Sequence, residues 1–213
     1  MSRSIAPSLR RDRSGGFSLI VVLLLLVVVT VLGVGAARLS LVNERSARSD
    51  RDQEMALQAA EAALVDAELD ILGPNANAAS RLCLFNNKDV APFVEGCGSN
   101  TNLGLCAPSA PGTTPAWMKA DLSPGSKTSV AYGTFTGQTF VVGKGAAPAA
   151  LPRYIVEVMR NNGGWQANRL ESARAGQATH IFRVTAIGFG VDTDTQVVLQ
   201  TNLYKPAVSA GCP

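Results

Sequence analysis

Four cysteines, one histidine and a line of helix acids are the side chains whose types could do chemistry in this chain. Cys83, Cys97, Cys106 and Cys212 lack any CxxC spacing, which argues against a four-cysteine metal site. In an oxidising compartment four cysteines form two disulfides by one of three pairings. The preferred arrangement joins Cys83 to Cys97 or Cys106 and leaves the remaining one to tie down Cys212. His180 opens a strand-like run and reads as an edge or surface residue rather than a base. No serine has a GxSxG setting and no GxxxxGK loop occurs, so the motifs of acyl transfer and phosphate binding are missing. Glu54, Glu61, Glu68, Asp66 and Asp70 read as the solvated face of a helix. Asp192 and Asp194 could hold a divalent ion, but two aspartates between strands are more often turn formers. The expectation is a protein that is not an enzyme and uses no metal or other cofactor.

The amino terminus decides the compartment. Residues 17–37 contain no charge; at 1.5 Å per helical residue they reach about 31 Å, which matches a hydrocarbon core of roughly 30 Å. Ahead of them, Arg3, Arg10, Arg11 and Arg13 against Asp12 leave +3, the net charge of the whole chain. The remainder is therefore near neutral, and the basicity belongs to topology rather than to a nucleic-acid partner. Positive charge before a first apolar segment keeps that end cytoplasmic, so a single-pass inner-membrane protein with a periplasmic carboxy-terminal domain is expected. An ordinary secretory signal has a shorter apolar run and a cleavage site at its far end. Here the far end passes from Ala36 and Ala37 into Arg38 with no turn signal, whereas Gly15, Gly16 and Phe17 stand at the near edge.

Beyond the apolar run, residues 38–72 contain neither proline nor glycine and are rich in Ala, Leu, Glu, Arg and Gln, all good helix formers. One helix over residues 17–72 is predicted, stopped by Gly73 and Pro74. Leu57, Ala60, Leu64, Ala67 and Ile71 recur at three and four and make the stripe that should pack on a sheet. Residues 38–51 carry too little apolar surface for packing and suggest an exposed shaft. A coiled coil does not fit, because the heptad-like stripe lasts only about two heptads. Gly33 and Gly35 could permit bending, or be the glycines that membrane helices ordinarily tolerate.

Residues 73–152 read as a loop region, with breakers Pro108, Pro111, Gly112 and Pro115 in its most polar part. Strand signals cover residues 135–142, 154–159, 181–188 and 195–204. Asn161, Asn162, Gly163 and Gly164 end one strand, and residues 192–194 give a tight connection. The fold class is α+β: a long amino-terminal helix whose second half packs on a carboxy-terminal antiparallel sheet at about residues 133–204.

Gly16 followed by Phe17, Ser18, Leu19 and Ile20 resembles a type IV prepilin. The resemblance implies that a prepilin peptidase removes residues 1–16 by cutting after Gly16 and then methylates Phe17. The fifth residue of the processed chain is Val21, where the family usually has glutamate to offset a neighbour's amino-terminal charge. Its loss points to a place at the filament tip, or to drift within an apolar run. The segment ERSARSDRDQEMALQAAEAALVDAE, at residues 44–68, is similar to the signature of PilX minor pilins of type IVa pili. PRYIVEVM, FRVTAIGFG and TQVVLQTNLY are similar to that family's carboxy-terminal strands. This implies a subunit that helps prime pilus assembly at or near the tip. Its partners would be other minor pilins, the major pilin, the inner-membrane assembly platform and a large tip adhesin. Two alternatives stay open: the tip pseudopilin of a type II secretion system, and a periplasmic protein on an uncleaved anchor, against which the Gly16–Phe17 junction argues.

Overall fold

Helix α1 is Phe17–Leu72, 56 residues. Leucine and alanine favour it, and no proline interrupts it. It ends where expected: Gly73, at φ +77°, donates its N–H to the Leu69 carbonyl at 3.0 Å, which closes the last turn before Pro74. The computed structural model describes residues 17–75, 77–85, 89–143, 145–160 and 180–205. Cys212, the leader with Gly16, and the turn from Asn161 to Gly164 lie outside the described residues. The chain divides into two units, Met1–Arg48 and Ser49–Pro213. In the first, α1 is exposed from residue 19 onward and passes through Gly33 and Gly35 without a break.

The second unit holds a five-stranded mixed sheet. Its strands are β1 (Leu105–Cys106), β2 (Val130–Ala131), β3 (Arg153–Arg160), β4 (His180–Phe189) and β5 (Gln196–Leu203). β3, β4 and β5 pair antiparallel, with Tyr154 opposite Ala186 and Phe182 opposite Leu203. The outer edge of β3 is covered twice: β2 pairs with it antiparallel at Tyr154 and Arg153, and β1 pairs in parallel at Val156 and Glu157. The sheet is thus antiparallel as expected except for this two-residue parallel element.

Residues 135–142 are not the strand their composition suggests. That segment joins no ladder among the described residues. Instead Gly133 and Gly137 adopt positive φ, and the Gly137 N–H reaches the Gly133 carbonyl at 2.8 Å, which makes a turn. The connection between β4 and β5 uses the Asp192 side chain as a turn former: its Oδ1 accepts the Asp194 N–H, and its carbonyl accepts that of Thr195.

One face of β3 and β4 presents Tyr154, Val156, Val158, Phe182, Val184 and Ala186 to the main core, where they meet Ala63, Ala67 and Ile71 of α1 and the rings of Phe85, Phe93 and Phe135. Ile155, on the other face, packs with Cys97, Cys106, Trp117 and Leu122. Burial on both faces explains why Tyr154, Ile155 and Val156 follow one another without polar alternation.

Candidate assembly site

Among the described residues, most of the exposed large hydrophobic side chains belong to α1. Large hydrophobic side chains from Leu19 to Val42 are exposed, from 41 % at Val21 to 73 % at Leu19. An α-helix closes its own backbone hydrogen bonds and so can lie in hydrocarbon without unpaired amides. Thr30, the single hydroxyl of residues 19–37, donates to the Val27 carbonyl at 2.8 Å. The apolar window has a mean hydropathy of 3.2. Val21 lies one turn after Phe17, the first residue of α1, and offers only methyl groups. A Cβ at Gly33 or Gly35 would meet open space, so neither glycine is demanded by contacts within this chain.

The second unit grips α1 through small residues. Ala56, Ala59, Ala60, Ala63, Ala67 and Ile71 are buried, while Leu57 and Leu64 are half-buried. Of the stripe read from the sequence, Ala60, Ala67 and Ile71 therefore lie deepest, Leu64 packs at the rim of the core, and Leu57 lies further out. Alanine brings the helix axis close to β4. A Cβ on Gly188 would overlap the Ala56 carbonyl and the Ala60 nitrogen, and one on Gly190 would overlap the Asp52 carboxylate. Asp52 uses that carboxylate to accept the Val191 N–H at 2.5 Å.

Two helix acids read as solvated are in fact buried, at 1 % exposure for Asp66 and 0 % for Asp70. Both satisfy the rule that a buried charge must be bonded or paired. Asp66 accepts the Gly133 N–H at 2.9 Å and the Thr136 hydroxyl, and so pins the turn that replaces the expected strand. Burial pushes its pKa up from the ordinary carboxylate value, against the lowering effect of these two bonds. Asp70 takes Arg81 through Nε and Nη2, at 2.7 Å for the shortest contact, and the Tyr154 hydroxyl at 2.9 Å. The Arg81 guanidinium also donates to the Thr101 and Leu103 carbonyls and lies 3.7 Å from the centre of the Phe135 ring. Lys205 donates to the Ile71 and Leu82 carbonyls, and burial pulls its pKa down. The end of α1 is thereby tied to the loop after it and to the segment after β5. Glu54, Glu61 and Glu68 are exposed, as their spacing suggested.

The disulfide pairing differs from the preferred one: Cys97 bonds Cys106, with Cα atoms 4.0 Å apart. Val94 bridges to Cys106 in parallel, and the Gly104 N–H donates to the Cys97 carbonyl at 2.7 Å, so the loop folds back on itself before it reaches any other cysteine. Cys83 is disulfide-bonded as well. Residues of the loop 96–115, with α2 (Ala116–Lys119), wall a cavity of about 540 Å³ whose lining includes Glu95, Lys119 and Asp121. His180 begins β4, half-buried, opposite Arg160.

Arg81, Tyr154 and Gly188 escaped the sequence reading although each left a signal. Arg81 is the one basic residue between Arg51 and Lys88, a stretch dominated by acids. A glycine inside a strand pattern, as at 188, marks a close backbone approach. Two family profiles match the chain: PilX N-terminal over residues 15–65, and type IV pilus assembly protein PilX C-term over residues 102–205. No curated protein and no solved structure matches it.

Proposed function

Since the chain belongs to the PilX family of type IV pilus minor pilins, we propose that it primes pilus assembly from the inner membrane and ends at or near the pilus tip. The observation that carries this reading is the exposed apolar length of α1, with a methyl-bearing Val21 near its start. Before assembly the lipid covers that surface. Drawn out of the bilayer it must be covered by other pilin helices, and apolar burial supplies the cohesion. The mechanism is association, not turnover. Removal of the leader after Gly16 would free the Phe17 amine, which the peptidase would methylate. A subunit with Val21 has no carboxylate to neutralise the amine of one already ahead of it, so it fits best where nothing lies ahead. Neighbours would be other minor pilins, the major pilin and the inner-membrane assembly platform, with a large adhesin above. The sheet unit would face the periplasm and later the cell surface.

The alternative, a tip pseudopilin of a type II secretion system, draws support from Val21 alone. The family match over residues 102–205 favours the pilus. The deciding experiment is intact mass and amino-terminal analysis of the membrane-extracted chain from cells with a prepilin peptidase. The expected product begins at N-methylated Phe17. Gly16→Val should keep its leader, still insert, and abolish piliation in a strain that depends on this subunit; normal pili from that variant would overturn the proposal.

A further inference from the structure

Residues 107–116 read APSAPGTTPA, with three prolines, three hydroxyl side chains and no charge. Segments rich in Ser, Thr and Pro are the compositional class that carries O-linked glycans. Composition does not choose among the hydroxyls, but their geometry does. Ser109 is half-buried and lines the cavity beside the loop. Pro111 and Gly112, the latter at φ +81°, stand at the centre of a turn that the Thr113 N–H closes on the Ala110 carbonyl at 3.1 Å, as in a type II turn. The Thr113 hydroxyl donates to the same carbonyl at 2.7 Å. Thr114 is exposed, and its hydroxyl makes no hydrogen bond among the described residues. Because Pro115 follows, Thr114 is pushed toward extended backbone, and a Cβ built on Gly112 meets open space. The one uncommitted hydroxyl of the segment that is fully presented to solvent is therefore that of Thr114.

We propose that Thr114 is an O-glycosylation site, its donor a sugar carried on a polyprenyl diphosphate and its partner a membrane glycosyltransferase that acts on the periplasmic side. The Thr114 Oγ1 attacks the anomeric carbon of the sugar. A carbon–oxygen bond forms there as the bond from that carbon to the diphosphate oxygen breaks. The electron pair leaves with the polyprenyl diphosphate, and the hydroxyl proton passes to a base of the transferase. The donor is a lipid and the acceptor is held by α1 in the same bilayer, so both reactants are confined to one surface and their effective concentration is raised. The inference rests on the membrane-anchored reading, though not on a place at the tip.

Ser123 is the other hydroxyl residue of the chain that precedes a proline. Its N–H donates to Asp121 Oδ1 at 2.9 Å, so a carboxylate stands beside it, whereas residues 107–116 offer a transferase no charge to accommodate. Thr113 and Ala116, close to Thr114 in the loop, line the cavity of about 540 Å³. A sugar on Thr114 thus has unfilled space next to it and not packed protein, and it gives an uncharged loop a hydrophilic cover.

The test is peptide mapping by mass spectrometry of the full-length chain extracted from the membranes of its native cells. After reduction, trypsin releases residues 89–119 as one peptide, between Lys88 and the cut after Lys119. That peptide should be heavier than its sequence by whole sugar residues, and electron-transfer fragmentation should place them on Thr114. Thr114→Ala should remove the added mass and Thr114→Ser should restore it, whereas Ser109→Ala, Thr113→Ala and Ser123→Ala should leave it in place. A peptide of sequence mass overturns the site. So does an added mass that survives Thr114→Ala, or one that is a phosphate. Leader removal is read from the same digest: a glycan on a chain that still carries its leader defeats the subunit reading and supports the site, whereas a processed chain with a bare peptide defeats the site alone.

Discussion

Arg81 and Asp70 show how a single pair of side chains can fix the end of a long helix. The carboxylate is fully buried and would be intolerable alone, but the guanidinium neutralises it, Tyr154 donates to it, and two loop carbonyls accept from Nη1 of the guanidinium. Removing one partner strands the other. Arg81→Met should cost about 3–5 kcal/mol of stability, and Arg81→Met/Asp70→Leu should recover most of it; denaturant unfolding of the detergent-solubilised chain measures both. Asp66 gives a pH signature of its own. Its folded pKa lies above the unfolded value, so the folded state holds the proton more tightly, and stability falls as pH rises through the window above 3.8. Asp66→Asn keeps an acceptor for Gly133 and lacks that loss. The advantage of the variant over the wild type should grow as pH rises from about 3 to 7, as followed by unfolding at each pH. Neither aspartate was legible as buried, because in an alanine-rich helix an acid at the margin of the apolar stripe has the same local pattern as one in water. The phase with Ala63 and Ala67 was the only hint.

The elements α1 and β4 meet almost backbone to backbone, which is why the helix offers alanines and the strand offers Gly188 and Gly190. Gly188→Ala should cost about 1–3 kcal/mol, since the new methyl group overlaps helix main chain and not a flexible side chain. The loss should appear in thermal unfolding of the sheet unit, with α1 still inserted in the membrane. A wild-type melting temperature in that variant would mean the approach is looser than the geometry gives. Periodicity made the long elements legible: α1 by its lack of breakers, β3 to β5 by their β-branched runs between turns. It failed for β1 and β2, because two residues cannot display a period. Composition misled the reading of residues 135–142, which suit a strand by residue type but follow a turn set by Gly133 and Gly137. Cystine pairing followed from the tight fold-back of Val94 on Cys106, a contact that no spacing rule announces.

At the scale of the whole molecule, one unit is covered by its own chain and the other is not, and the uncovered one holds Val21, to which the proposed place in the filament is tied. The apolar length of that helix was legible because a hydrocarbon core imposes a fixed minimum on any span. The order of subunits is not written in that length; the proposal ties it to a charge that this chain lacks. Val21→Glu supplies that charge. A lone carboxylate in an apolar surround is costly, at about 2.5–3.5 kcal/mol near the centre of a span and less toward its end, so insertion and leader removal should survive. Once assembled, the new carboxylate could pair with the amine of a subunit ahead, and the reason for an end position disappears. Sheared pili from cells with Val21→Glu should therefore carry several times more of this chain relative to the major pilin, with immunogold label along their length instead of at one end. If both the amount and the placement stay as in the wild type, Val21 is a passive member of an apolar run, and whatever holds the subunit near the tip must be sought in the sheet unit.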